Sequence, residues 1–217
     1  METDALIAEL AAHATPVKRL WPPCARMLAW VALSLPAVAI IIAVMSTEVR
    51  FSQIAWDGQF LVEQAATLAT AITAAVAAFC SVVPGYDRRI LLLPALPLAI
   101  WLASVGHGCV QDWIDHGAGS LALRADWGCL NLALPVGIVP AVAMAAMLGR
   151  GAPIFPRTTL VLGTLAVAAL ANFGLRLFHI GDASIMVLSW HFGVLILLSG
   201  FAAVIGPRVF RWRHTHP

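Results

Sequence analysis

Six separate apolar runs, each close to the length of a bilayer crossing, constrain this chain more than any motif in it. They cover about 27–45, 60–83, 90–108, 128–148, 158–178 and 185–205. A spanning helix needs about 20 apolar residues, with every backbone polar group bonded within the segment. Six such runs in 217 residues leave little polar surface to enclose them. Only 11% of residues are charged and 61% are apolar. A soluble domain carries roughly 25% charged and about 45–50% apolar residues. The expected class is an all-α, polytopic membrane protein, a bundle of six transmembrane helices surrounded by lipid. The chain divides into a cytoplasmic N-terminal arm (1–26), the six-helix domain (27–206) and a short basic tail (207–217).

Charge placement sets the expected orientation. Lys18, Arg19, Arg26, Arg88, Arg89, Arg150, Arg157, Arg208, Arg211 and Arg213 fall on one side of the runs; Arg50, Arg124 and Arg176 fall on the other. Cytoplasmic loops carry the excess of Lys and Arg, so both termini are expected inside. The net charge of +2 is too small to indicate nucleic-acid binding. Met1–His13 is mildly acidic and the basic residues come only after it, the reverse of a signal peptide. The N-terminal segment is therefore expected to stay on the mature protein. Most tryptophans, Trp21, Trp30, Trp56, Trp101, Trp113, Trp127 and Trp212, lie near predicted ends, as interfacial indoles do. Pro94 and Pro97 interrupt the third run, and Pro36, Pro135 and Pro140 are expected to kink theirs. Ala, Thr and Gly at helical spacing in 65–78 and 163–174 predict close helix packing, within the chain or in a homodimer.

Residues 3–13 read as a short amphipathic helix. Thr3 can cap it, and Asp4 suits the positive end of the helix dipole. Leu6, Ile7 and Leu10 share a face. A helix this short is marginal alone in water and needs a surface. Headgroups, the chain's own loops or a groove on a soluble partner would each serve. Val17 and Leu20 continue the apolar character beyond Thr15-Pro16.

Reactive side chains collect on the expected outer side. His107, Cys109, Asp112 and His116 follow the third span, Cys129 opens the fourth, and His179 and Asp182 lie between the fifth and sixth. Thiolate, imidazole and carboxylate are the usual ligands of zinc and other transition metals. No tight spacing such as C-x-x-C or H-x-x-x-H supports this within one helix. Cys109 and Cys129 could instead form a disulfide, since an outer bacterial compartment is oxidising. Cys24 and Cys80 fall on the inner side. Glu63 and Arg176 lie near outer span ends, where snorkelling accounts for them. Asn131 and Asn172 are expected to bond between helices. No phosphate loop, nucleophile elbow or HExxH motif is present, so no catalysis is expected and no cofactor is required. A metal or redox enzyme using the outer groups and a small transporter stand as rival readings.

Four phrases, in order, resemble the NrsF family of bacterial membrane anti-sigma factors. They are Leu6-Ile7 with Pro16-Val17-Lys18-Arg19-Leu20-Trp21-Pro22-Pro23; Trp127-Gly128-Cys129, in a span ending Arg150-Gly151-Ala152-Pro153, with Pro156 after it; His179 to Ser184; and Gly206-Pro207-Arg208-Val209-Phe210-Arg211-Trp212. The resemblance implies a six-span protein of the inner membrane. It implies a cytoplasmic N-terminal segment that holds an extracytoplasmic-function (ECF) sigma factor inactive, so Leu6, Ile7, Leu10, Val17 and Leu20 become the expected contacts. It also implies outward cysteines that sense metal or oxidative stress. Cys129 matches the first of these. At the second the turn reads His179-Ile180-Gly181-Asp182, so a Cys–Cys pair of the family type is absent. Cys129 with His179 could still bind a transition metal as the signal, with Asp182 beside them and Cys109 as an alternative disulfide partner.

Overall fold

The computed structural model describes residues 3–13, 19–45, 58–117, 127–151 and 155–177, together with Gly193, Gly200 and Val204. Of Met45 and residues 127–134 it describes the backbone alone. The described residues form α1 (Thr3–Ala12), α2 (Pro23–Met45), α3 (Gly58–Ser81), a short 3-10 turn (Arg88–Leu92), α4 (Ala95–His116), α5 (Trp127–Leu148) and α6 (Pro156–Leu175). There is no strand among them.

Four helical stretches among the described residues are long and apolar enough to cross a membrane, not six: Pro23–Val44, Gly58–Ser81, Arg88–His116 and Pro156–Leu175. The expected fourth run is helical as α5, but it qualifies only as a shorter apolar helix over its described part, Pro135–Leu148. The expected sixth run, 185–205, lies outside the described residues apart from the three single positions.

Boundaries shift for identifiable reasons. Pro94 does break the third apolar run, between the 3-10 turn and α4: it is the N-cap of α4, which starts one residue later. Proline fits this place because the first helical residues need no N–H donor. α4 then runs on to His116, so His107, Cys109, Asp112 and His116 are helical rather than loop residues. Gly117 ends the helix at φ +73°, a conformation glycine adopts without steric cost, and its N–H bonds to the Trp113 carbonyl. Pro156 occupies the first turn of α6, again without sacrificing a bond.

α3 is the hub. It makes the most extensive contact, with α6, and it also packs on α2, α4 and the 3-10 turn. Its buried side is unusually small: Ala71, Ala74, Ala75, Ala77 and Ala78 are all fully buried, as are Ala166 and Ala169 of α6. Between apolar helices in lipid, burial supplies little drive; close van der Waals approach supplies more, and small side chains permit it. Thr67, Thr70 and Thr73 donate their hydroxyls to the carbonyls of Glu63, Ala66 and Ala69 at 2.6–2.7 Å. Each hydroxyl thus finds its acceptor inside its own helix, and α3 can bury threonine without a partner from elsewhere. Two prolines sit inside α5, and the second, Pro140, is buried.

Two indoles depart from the interfacial expectation. Trp30 is 0% and Trp101 2% exposed, both within the main core, whereas Trp21 and Trp113 are exposed.

Candidate functional site

The arm's helix, α1, buries nothing. None of the α1 residues is buried, and Leu6, Ile7 and Leu10 are 39%, 58% and 64% exposed. At 100° per residue these three lie within about one third of the helix circumference. Asp4 stands in the first turn, where the dipole favours an anion. Leu20 and Trp21 are exposed beyond the helix; Val17 lies outside the described residues. Each large apolar side chain buried against a partner would contribute about 1.5–3 kcal/mol before ordering costs. A ten-residue helix has little stability of its own, and its apolar stripe is not packed against the described part of the bundle.

The expected sensing residues are not brought together among the described residues. Cys109 is a half-buried free thiol on α4. Asp112 and His116, three and seven positions on, lie on the same side of that helix; His107 lies on another. No group of three or more His, Cys, Asp or Glu able to hold a metal occurs among the described residues. Cys129 is in the first turn of α5, with its side chain undescribed. His179 and Asp182 lie outside the described residues.

Several polar groups bond between helices toward the two ends of the bundle, and spacing had not revealed these pairings. At one end, Arg26 is 4% exposed. Its guanidinium donates to the Met147 carbonyl and sits over the Phe79 ring, 4.6 Å from the centroid. The acceptor belongs to the last turn of α5, where a cation offsets the negative end of the helix dipole. One turn further, Trp30 Nε1 donates to the Pro140 carbonyl at 3.0 Å. The hydroxyls of Ser81 and Thr159 meet at 2.7 Å and tie α3 to α6. Beside them is a cleft of about 200 Å3, lined by Cys80, Ser81, Tyr86, Arg88, Leu91 and Phe155 among others. Arg88 lies over the Phe155 ring at 4.9 Å.

At the other end, Arg176 Nε donates to Glu63 Oε1 at 3.2 Å, with side chains 16% and 4% exposed. Gln64 Nε2 donates to the Phe173 carbonyl at 3.3 Å. The snorkelling expectation for Glu63 and Arg176 is therefore corrected: the two neutralise each other across α3 and α6. Pairing wins because an isolated buried carboxylate would be far more costly. The residues are 113 apart in sequence. Equal depth of opposite charges in two spans was the signal that could have joined them.

Comparison with known proteins places this arrangement. No curated protein and no solved structure matches the chain. The NrsF family, described as negative regulator of sigma F, matches residues 10–212, nearly the whole length. Negative regulation of a sigma factor is therefore the role its membership implies, with a sigma factor as partner. The chain belongs to the NrsF family of negative regulators of sigma F.

Proposed function

We propose that this chain is a membrane-bound anti-sigma factor. Six spans would hold it in the bacterial inner membrane with both ends in the cytoplasm. Residues 1–26 form the arm, and Leu6, Ile7, Leu10, Val17 and Leu20 seat it in a groove of an ECF-type sigma factor. Held there, the sigma factor is kept from RNA polymerase. Helix-in-groove docking uses apolar anchors at i and i+4 spacing on one helical face, as Leu6 and Leu10 provide.

One observation carries the reading: α1 is a formed helix with an apolar stripe and no buried residue, in a chain whose family regulates a sigma factor. The positive-inside distribution of Lys and Arg supports a cytoplasmic arm. On the far side, Cys129 and His179, with Cys109 and Asp182 near them in sequence order, form the receiver for an extracytoplasmic metal or oxidative signal. Such a signal weakens the arm's grip by favouring a bundle state with lower affinity for the sigma factor, a coupling typically of about 1–3 kcal/mol.

Deleting residues 1–20 tests this directly. Sigma-dependent transcription rises while the membrane domain stays at its normal level. Unchanged repression by the truncated protein would refute the arm's role.

A further inference from the structure

An interface made of alanine brings helices close but holds their register weakly. Ala71, Ala74, Ala75 and Ala78 of α3 and Ala166 and Ala169 of α6 are 0% exposed and belong to one cluster. Small side chains interlock little, so the α3–α6 surface itself sets register weakly, although α6 is packed closely elsewhere, with Gly174 against Val38 and Ile42 of α2. Directional polar bonds are what fix register on such a surface, the best-attested use of buried polar and ionic groups. α3 and α6 carry these at both extremes of their contact. Ser81 meets Thr159 at 2.7 Å, and Glu63 meets Arg176 at 3.2 Å. The helices are antiparallel, and the two bonds are separated by 17 or 18 residues, about 26 Å at the helical rise.

Their surroundings differ. The Ser81–Thr159 bond borders the cleft that contains Arg88 and Phe155. The Glu63–Arg176 pair stands where α6 stops: Arg176 is its C-cap residue, its N–H bonds to the Asn172 carbonyl, and the Leu177 N–H bonds to that of Gly174. Three residues later the chain reaches His179. The side chain that pairs with Glu63 of α3 is thus only three residues in sequence from the segment proposed above for sensing.

The geometry points to the Glu63–Arg176 ion pair as a register latch that sets how α6 sits on α3 and, along α6, the Ser81–Thr159 end of the bundle. This rests on the signalling reading proposed above. With the pair closed, α6 is held in the register that favours the sigma-binding state. Pulling Arg176 away leaves Glu63 in a low-dielectric setting with a lost partner, so the closed register loses its preference and α6 settles elsewhere on the alanine surface. Helix shifts of about 1–2 Å are a known form of such switching. Glu63 and Arg176 are positioning residues here; neither touches the sigma factor.

The full-length protein in its native membrane tests this with two readouts. The first is sigma-dependent transcription at measured protein level. The second is oxidative cross-linking of Ser81→Cys with Thr159→Cys, in a chain carrying Cys24→Ser and Cys80→Ser. Glu63→Gln or Arg176→Gln is expected to raise transcription about fivefold or more and to lower the cross-linking yield. The exchanged pair, Glu63→Arg with Arg176→Glu, is expected to restore both. If a single variant fails to accumulate, Glu63→Gln with Arg176→Gln, which leaves no unpaired charge, carries the test in its place. Normal repression by the variants overturns the latch where loss of residues 1–20 derepresses. Normal repression in both cases faults the arm reading instead, and the cross-linking yield then decides the latch alone: an unchanged yield overturns it.

Discussion

Trp30 donates its indole N–H to the carbonyl of Pro140, 110 residues away, at 3.0 Å. Both residues are buried, and the bond anchors α2 to the proline-bearing middle of α5. Arg26, one turn before Trp30, binds the Met147 carbonyl of the same helix. The end of α2 nearest the arm is therefore held at two points. Whatever the arm does at its free end, its root is fixed to the bundle.

Removing the indole donor should weaken that attachment measurably. Trp30→Phe keeps most of the buried ring and loses the bond, at an expected cost of about 0.5–1.5 kcal/mol. Trp30→Ala also leaves a cavity, at about 3–5 kcal/mol. The two thermal midpoints in detergent should rank in that order below the parent. Equal midpoints for Trp30→Phe and the parent would show that the bond contributes nothing.

Glycines test the closeness of helix packing. A Cβ at Gly174 would sit 2.5 Å from Val38 Cγ1 and 2.9 Å from Ile42 Cδ1. Gly174→Ala should therefore destabilise by about 1–3 kcal/mol through overpacking. At Gly137, inside α5, a Cβ would meet nothing within 4 Å. Gly137→Ala should be neutral or stabilising by up to about 1 kcal/mol, since alanine is the better helix former. Thermal denaturation of the two variants side by side checks the contrast.

The arm variants should separate binding from stability. Leu6→Asp with Leu10→Asp changes exposed positions on a helix that buries nothing. The thermal midpoint of the purified protein should be unmoved. Sigma factor co-purification should fall by tenfold or more, each lost apolar anchor being worth about 1.5–3 kcal/mol. Retained co-purification would show that other surfaces carry the affinity.

Thiol labelling should resolve the orientation. Cys24 is exposed in the first turn of α2, and Cys109 is half-buried near the opposite end of α4. A membrane-impermeant maleimide on intact spheroplasts should react with Cys109 and spare Cys24, which becomes reactive only after permeabilisation. The reverse pattern would invert the topology.

Sensing should be confined to the outer thiols. Cys129→Ser is expected to abolish induction of sigma-dependent transcription by a thiophilic metal or an oxidant, and Cys80→Ser to leave it intact. Cys80 is buried at the cleft between Ser81 and Phe155, at the other end of the bundle. Full induction in Cys129→Ser, read by a transcriptional reporter, would move the receiver elsewhere.

Hydropathy alone determined the all-helical class, the position of the described helices to within a few residues except α4, which runs eight residues past the expected end, and the separate, acidic-headed arm. These follow from periodicity and run length, which are local properties of the chain. The small-residue stretches likewise announced close packing before the α3–α6 contact was seen. Tertiary structure alone decided which buried polar groups meet. Glu63 and Arg176 looked like two independent snorkelling charges and Trp30 and Trp101 like interfacial anchors, and nothing in the sequence singled out Ser81 or Thr159. Each acquires its role from a neighbour that folding delivers across as many as 113 residues. In an interior without water, the free energy of a polar group depends on that neighbour far more than on its own sequence context.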